Sequence, residues 1–283
     1  MPRLTNMVVV KEKYADPHEG RGAVTMTRRL VFGDDQSQAA DVAWLWINSH
    51  EWPGWQIEAL TAVPAGDVQD SEVHAWEPRH PREVLRAGAR TPVHHEQIIA
   101  DPASALGGLR DRDLLVIGPR GHGFRKALHV GSTCDALVNT SAMPLVIARH
   151  GVPTTRVLVC ADGSADSDAA VEALRLMPWL GQVQVLVVSV PQPGLDAQQA
   201  TENAAGTLRE AALSVRVEVL TPDDVQLVVN PRAMLLEAAS RWESDLVVLG
   251  TRGLSGVAAL RAGSIATSLV RHAPCSVLVA RAN

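Results

Sequence analysis

The sequence predicts an α/β fold made twice, each copy a parallel sheet covered by helices on both faces. Three observations predict it. Short β-branched runs alternate with segments of helical periodicity along the chain. The stretch "GPRGHGFRKALHVGS" (118–132) returns 132 residues later as "GTRGLSGVAALRAGS" (250–264). In both, Gly-x-x-Gly is followed by nine residues and Gly-Ser. Aligned without a gap, residues 113–149 and 245–281 share 14 identities in 37 positions. A duplicated unit is the economical explanation.

In the first half, "RLVFGD" (29–34) reads as strand one and is followed by a helix ending near Trp46 and Ile47. "IEALTAV" (57–63), "VHHEQII" (93–99), "DLLVIG" (113–118) and "PLVIAR" (144–149) read as strands two to five. "PASALGGLRD" (102–111) is a short helix interrupted by a Gly pair. In the second half, "RVLVCAD" (156–162) is strand one. "SADSDAAVEALRLM" (164–177) is a helix with acidic residues in its first turn. "VQVLVVSV" (183–190) is a strand stopped by Pro191, and a helix follows near 195–213. "VRVEVLT" (215–221) is strand three, and "PRAMLLEAASRW" (231–242) is a helix with Pro at its start. "DLVVLG" (245–250) and "SVLVAR" (276–281) close the set. The boundaries follow: an N-terminal tail at 1–26, one domain at 27–150 and a second at 151–283. The linker "HGVPTT" (150–155) is short, so the domains pack side by side.

With 283 residues, 46% of them apolar and 20% charged, the chain has material for two packed cores. A net charge of −5 gives no general attraction for nucleic acid or an anionic membrane, so a bound anion must be held by local geometry. Cys134, Cys160 and Cys275 make neither a disulfide framework nor a spaced metal site, and fit a reducing cytoplasm. No apolar run approaches the roughly 18 residues of a membrane span. The four-residue apolar patch before Lys11 is not a signal peptide.

The glycine motif carries the chemistry. Gly118 and Gly250 stand at the end of strand four, where a doubly wound sheet binds ligands. Gly131-Ser132 and Gly263-Ser264 open segments that read as helices, whose unpaired N–H groups suit a phosphate. A tight turn with Ser as helix cap would use the same residues. Asp162 ends strand one of the second half and faces the same crevice, where it could accept from a ribose hydroxyl or an adenine amino group, or cap the next helix. Asp35 is its counterpart, with Asp34 beside it able to do either job.

"GTRGLSGVAALRAGSIATSLVRHAPCSVLVAR" resembles the C-terminal signature of the universal stress protein family, whose ATP-binding members carry G-x2-G-x9-G-[ST]. The resemblance extends over residues 27–282 as a tandem pair. It implies two Rossmann-like five-stranded parallel sheets of order 3-2-1-4-5 that bind ATP, with Mg²⁺ as a possible companion. By that resemblance Asp35 or Asp162 holds the adenosine part, and Val63 or Val190 lines the adenine pocket. Gly118, Gly121, Gly131 and Ser132 cradle phosphates in the first domain; Gly250, Gly253, Gly263 and Ser264 do so in the second. It also implies that 144–149 and 276–281 meet as an intrachain pseudo-dimer, with association of two chains left open. One departure separates the halves: Asp162-Gly163-Ser164 is matched by Asp35-Gln36-Ser37.

Other features are set against simpler roles. Four tryptophans crowd "WLWINSHEWPGW" (44–55), for core or interdomain packing or for stacking a base. Adjacent His94, His95 and Glu96 point to opposite faces of a strand and make no metal site. Arg120, His122, Arg252 and Arg261 could touch phosphate or solvent. No G-x-x-x-x-G-K-[ST] stretch or Ser-His-Asp arrangement is evident, so no catalytic residue is assigned. Three functions are compatible with these residues: a nucleotide-binding stress sensor or regulator, a slow Mg-dependent ATPase or phosphotransferase, and a nucleotide-free scaffold.

Overall fold

Valine- and leucine-rich runs bounded by Gly, Asp and Pro become strands here because both of their faces are buried. Alternate residues point into opposite layers. The computed structural model describes residues 9–10, 27–65, 78–86, 89–121, 130–221, 230–253 and 262–282. The first half contains β1 (Val9–Val10), β2 (Arg28–Gly33), α1 (Gln38–Asn48), β3 (Trp55–Val63), β4 (Glu83–Arg86), β5 (Ala89–Pro92) and β6 (His94–Ile99). It continues through α2 (Pro102–Gly107), β7 (Leu114–Ile117), α3 (Ser132–Thr140) and β8 (Leu145–Ile147). The second half contains β9 (Arg156–Cys160), α4 (Ala165–Arg175), β10 (Gln184–Ser189), α5 (Ala197–Leu208) and β11 (Ser214–Val219). It ends with α6 (Pro231–Arg241), β12 (Leu246–Gly250), α7 (Ser264–His272) and β13 (Ser276–Ala280).

Eleven strands form one sheet in the order β1-β6-β3-β2-β7-β8-β13-β12-β9-β10-β11. All neighbours are parallel except β1 with β6 and β8 with β13. Leu30, Phe32, Val157 and Val159 face one core layer; Val31, Leu158 and Cys160 face the other. At the seam, Leu145 pairs with Val279, Val146 with Leu278 and Ile147 with Val277. Val146 and Leu278 hold the same place in the two repeats, so a local twofold axis passes between them. Helix starts follow their caps: Ser37 accepts from Ala40 N–H, Ser164 from Ser167 N–H, and Pro102 and Pro231 open α2 and α6.

Among the described residues, the two halves differ in their connection between the second and third strands. Where α5 crosses between β10 and β11, the first half has the antiparallel hairpin β4–β5. Pro78, Pro81 and Pro92 punctuate that stretch, and each removes a donor that a helix needs. Val9 and Val10, assigned to the tail by sequence, pair with Ile98 and Gln97.

The clustered tryptophans join the halves. Trp46 meets Trp179 edge-on with ring centroids 6.1 Å apart, and the His50 ring lies 4.5 Å from Trp179. His50 Nδ1–H donates to the Trp46 carbonyl at 2.7 Å while Nε2 accepts from Thr154 N–H at 2.9 Å. Burial pushes its pKa down to about 4, against the smaller raising effects of the Trp46 carbonyl and Asp245. Between pH 6.5 and 4 the unfolded chain therefore takes up a proton that the folded one refuses. Stability present above pH 6.5 is lost through that window, by about 3 kcal/mol in total. Urea unfolding checks this: the stability gap between wild type and His50→Gln should shrink by about 2 kcal/mol or more from pH 7.5 to pH 4.5. A constant gap would contradict it.

Candidate functional site

Strand ends β9, β10 and β12 and the starts of α6 and α7 enclose a cleft of about 500 Å³ in the second half. Asp162, Val190, Gly250, Gly253, Gly263 and Ser264 all line it. Asp162 Oδ1 is held by the Ser164 backbone N–H at 3.0 Å and by the Ser164 hydroxyl at 2.6 Å. Its Oδ2 lies beside Gly253, where a Cβ would approach it to 2.8 Å. A side chain at 253 would therefore press on that carboxylate. Gly250 has a different reason. Its Cβ would sit 2.5 Å from Ser167 N and 2.6 Å from the Asp166 carbonyl carbon, so glycine is what lets α4 pack on the strand end.

The loop between Gly253 and Gly263 is closed at its base by Gly263 N–H donating to Thr251 O at 2.7 Å. Gly263 is the N-cap of α7 and supplies no capping side chain. The first N–H groups of α7, at Ser264, Ile265 and Ala266, have no acceptor within the helix, and all three residues line the cleft. The site is thus amphoteric: amides and a helix N-terminus at one end, a carboxylate at the other, and an apolar wall of Val188, Val190, Leu195 and Leu235.

Arg252 is engaged by a carboxylate. Its Nε and Nη2 donate to Asp166 Oδ2 and Oδ1 at 2.9 and 2.8 Å. Thr251 Oγ1 donates to the same carboxylate at 2.7 Å, and Ala282 N–H at 3.0 Å. Burial pushes Asp166 up, but these donors outweigh it and hold the pKa at about 2. His122 and Arg261 lie outside the described residues. Burial also raises the thiols of Cys134 and Cys275 to about 12 and that of Cys160 further, so all three stay protonated at neutral pH. Among the described residues no three His, Cys, Asp or Glu side chains gather to hold a metal.

The model of the universal stress protein family matches residues 153–281. A universal stress protein of Thermus aquaticus is 32% identical over 133 residues, 44% of this chain and 97% of its own length. The chain belongs to the universal stress protein family. A Mycobacterium tuberculosis universal stress protein is 26% identical over 249 residues, covering 80% of this chain and 85% of its own. A solved universal stress protein from Archaeoglobus fulgidus superposes with a TM-score of 0.61 at 17% identity, over 90% of this chain and 99% of its own. That likeness is one of fold: a mostly parallel sheet with helices. Among the described residues no helix is long and apolar enough to cross a membrane.

The first half repeats some of this arrangement. A Cβ on Gly118 would lie 2.7 Å from Ala39 O of α1, and one on Gly121 would collide with Asp35 Oδ2. Gly131 N–H donates to Pro119 O at 2.9 Å, and Ser132 is the first residue of α3. Asp35 thus holds the place of Asp162, and its Oδ1 accepts from Ser37 N–H at 3.1 Å. Asp34 does neither job proposed for it. It is buried against Arg82, whose Nε and Nη2 donate to its two oxygens at 2.6 and 2.8 Å. Register also shifts one assignment. Gly33 pairs with Leu60 and Cys160 with Val188, so the counterpart of Val190 is Ala62, and Val63 lies one residue beyond. Gln36 takes φ +60°, the left-handed conformation that Gly163 adopts at φ +68°. Its side chain is held by Asp34 Oδ2 at 2.7 Å and by His80 N–H at 2.8 Å.

Sequence reasoning missed Leu195 and Leu235 in the second cleft and Arg82 in the first half. Leu195 follows Val190 across the short Pro-Gln-Pro-Gly turn, Leu235 and Arg82 come from segments far from the motifs, and none of the three lies in a motif.

Proposed function

We propose that the chain is a tandem universal stress protein of two domains, 27–150 and 151–283, which binds an adenine nucleotide and acts as a stress-response sensor or regulator. One observation carries the reading: Asp162, Val190 and the four motif residues Gly250, Gly253, Gly263 and Ser264 all line one cleft. Phosphates would meet the α7 amides and Ser264, the ribose or adenine edge would meet Asp162, and the base would lie against Val190. Mg²⁺ would enter as the triphosphate's own counter-ion. The β8–β13 seam is read as the intrachain equivalent of a dimer contact, and the protein is assigned to the cytoplasm. In the first domain Asp35, Ala62 or Val63, Gly118, Gly121, Gly131 and Ser132 form the corresponding set.

Calorimetric titration of ATP, ADP and cyclic AMP tests the reading. Asp162→Ala is expected to weaken ATP binding about 10- to 100-fold, the worth of a hydrogen bond to a charged group. Asp35→Ala is expected to cost less, because Gln36 crowds that loop. No ATP binding by the wild type, or unchanged affinity in Asp162→Ala, would reject the assignment. ADP release no faster than from a Gly263→Val control is expected.

A further inference from the structure

Asn139 belongs to α3 in the first half, yet its side chain reaches the glycine loop of the second. Its Oδ1 accepts the Ala262 N–H at 2.6 Å, and its Nδ2 donates to the Asp135 carbonyl one turn back at 2.6 Å. One neighbour can only donate and the other only accept, so the amide has one orientation. Ala262 is the last loop residue before the Gly263 cap and Ser264. Two successive amides at the loop's exit are therefore tied down: Gly263 by Thr251 O from its own half, and Ala262 by Asn139 from the other.

Directly after those two amides comes the first turn of α7, which lines the cleft. Its donors are backbone groups, so their aim is set by the path along which the chain enters the helix. The twofold-related position to Asn139 is Arg271, and it does different work. Arg271 Nη2 pairs with Asp135 Oδ1 at 2.8 Å, both side chains about half exposed. Helix α3 thus grips the second half at two points, and one of them is the loop.

We infer that Asn139 is a positioning residue for the phosphate end of the second cleft, supplied to it by the first half. The inference rests on the nucleotide reading above. A merely structural contact would affect all ligands or none; a phosphate-positioning contact should separate ATP from adenosine.

The test is calorimetry on the full chain with ATP and with adenosine, for wild type, Asn139→Ala and Arg271→Ala. Asn139→Ala is expected to weaken ATP about three- to tenfold, the worth of one neutral hydrogen bond, with adenosine affinity unchanged. Hydrogen exchange at the Ala262 amide should accelerate in the same variant. Arg271→Ala breaks the other α3–α7 contact and should leave ATP within about twofold. A wild type that binds no ATP would overturn the cleft reading and this inference with it. A wild type that binds, with Asn139→Ala unchanged, would overturn the inference alone. So would equal losses of ATP and adenosine, or equal losses in Asn139→Ala and Arg271→Ala.

Discussion

Arg82→Met is expected to destabilise the protein by about 3–5 kcal/mol, because it strands a buried carboxylate. Asp34 is 1% exposed and Arg82 6%. The guanidinium donates to both Asp34 oxygens and, through Nη1, to Asp41 at 2.8 Å. It also lies over the rings of Phe32 and Trp44, at 5.4 and 5.9 Å from their centroids. Methionine keeps the packing volume and removes the charge, so the loss reads the unpaired Asp34 rather than a cavity. The second half shows how the same place is filled without an ion: Ala161-Asp162-Gly163 stands where the first half has Asp34-Asp35-Gln36. Adding Asp34→Ala and Gln36→Gly to Arg82→Met should restore at least half of the lost stability, since it removes the orphan charge and the left-handed strain together. Urea unfolding measures all three. A loss under about 1 kcal/mol in Arg82→Met would mean that Asp34 finds water, and the argument from burial would fail.

Gly250→Ala and Gly253→Val should fail in opposite ways, although both alter the same motif. At 250 the new Cβ meets the backbone of α4, which cannot turn aside as a side chain does. The expected cost is about 1–3 kcal/mol of stability. At 253 the obstacle is the end of a carboxylate, which can rotate away. Gly253→Val should therefore cost less stability than Gly250→Ala while losing ATP affinity by about 100-fold, because the valine occupies the cleft and displaces Asp162. Paired denaturation and calorimetry on the two variants decide it. Equal destabilisation, or ATP binding retained by Gly253→Val, would remove the distinction.

Much of the fold was legible because the signal for it is local. A buried parallel strand writes itself as a β-branched run, and proline or glycine marks its end. Repetition did the rest, since two copies of Gly-x-x-Gly exclude most accidental readings. The features that escaped are those that depend on contact across the chain. Nothing at Arg82 announces that it will lie beside Asp34, 48 residues away. Asn139 and Ala262 are 123 apart. Arg252 was legible as a cation near the loop, but its partner Asp166 sits in a helix whose first-turn acids already had an explanation. The hairpin β4–β5 was not read from the sequence: Pro78, Pro81 and Pro92 each remove a helix donor without saying what forms instead.

The antiparallel pairing of β8 with β13 has a consequence for how the two halves can change. In a homodimer with a true twofold axis, any substitution appears on both sides at once, and each residue must satisfy the same surroundings twice. One chain carrying both sides is free of that rule. Asn139 and Arg271, Gln36 and Gly163, and Asp34 and Ala161 differ between the halves while the seam strands pair in register. The seam does not depend on concentration either: dilution cannot carry away a strand that its own backbone tethers to its neighbour.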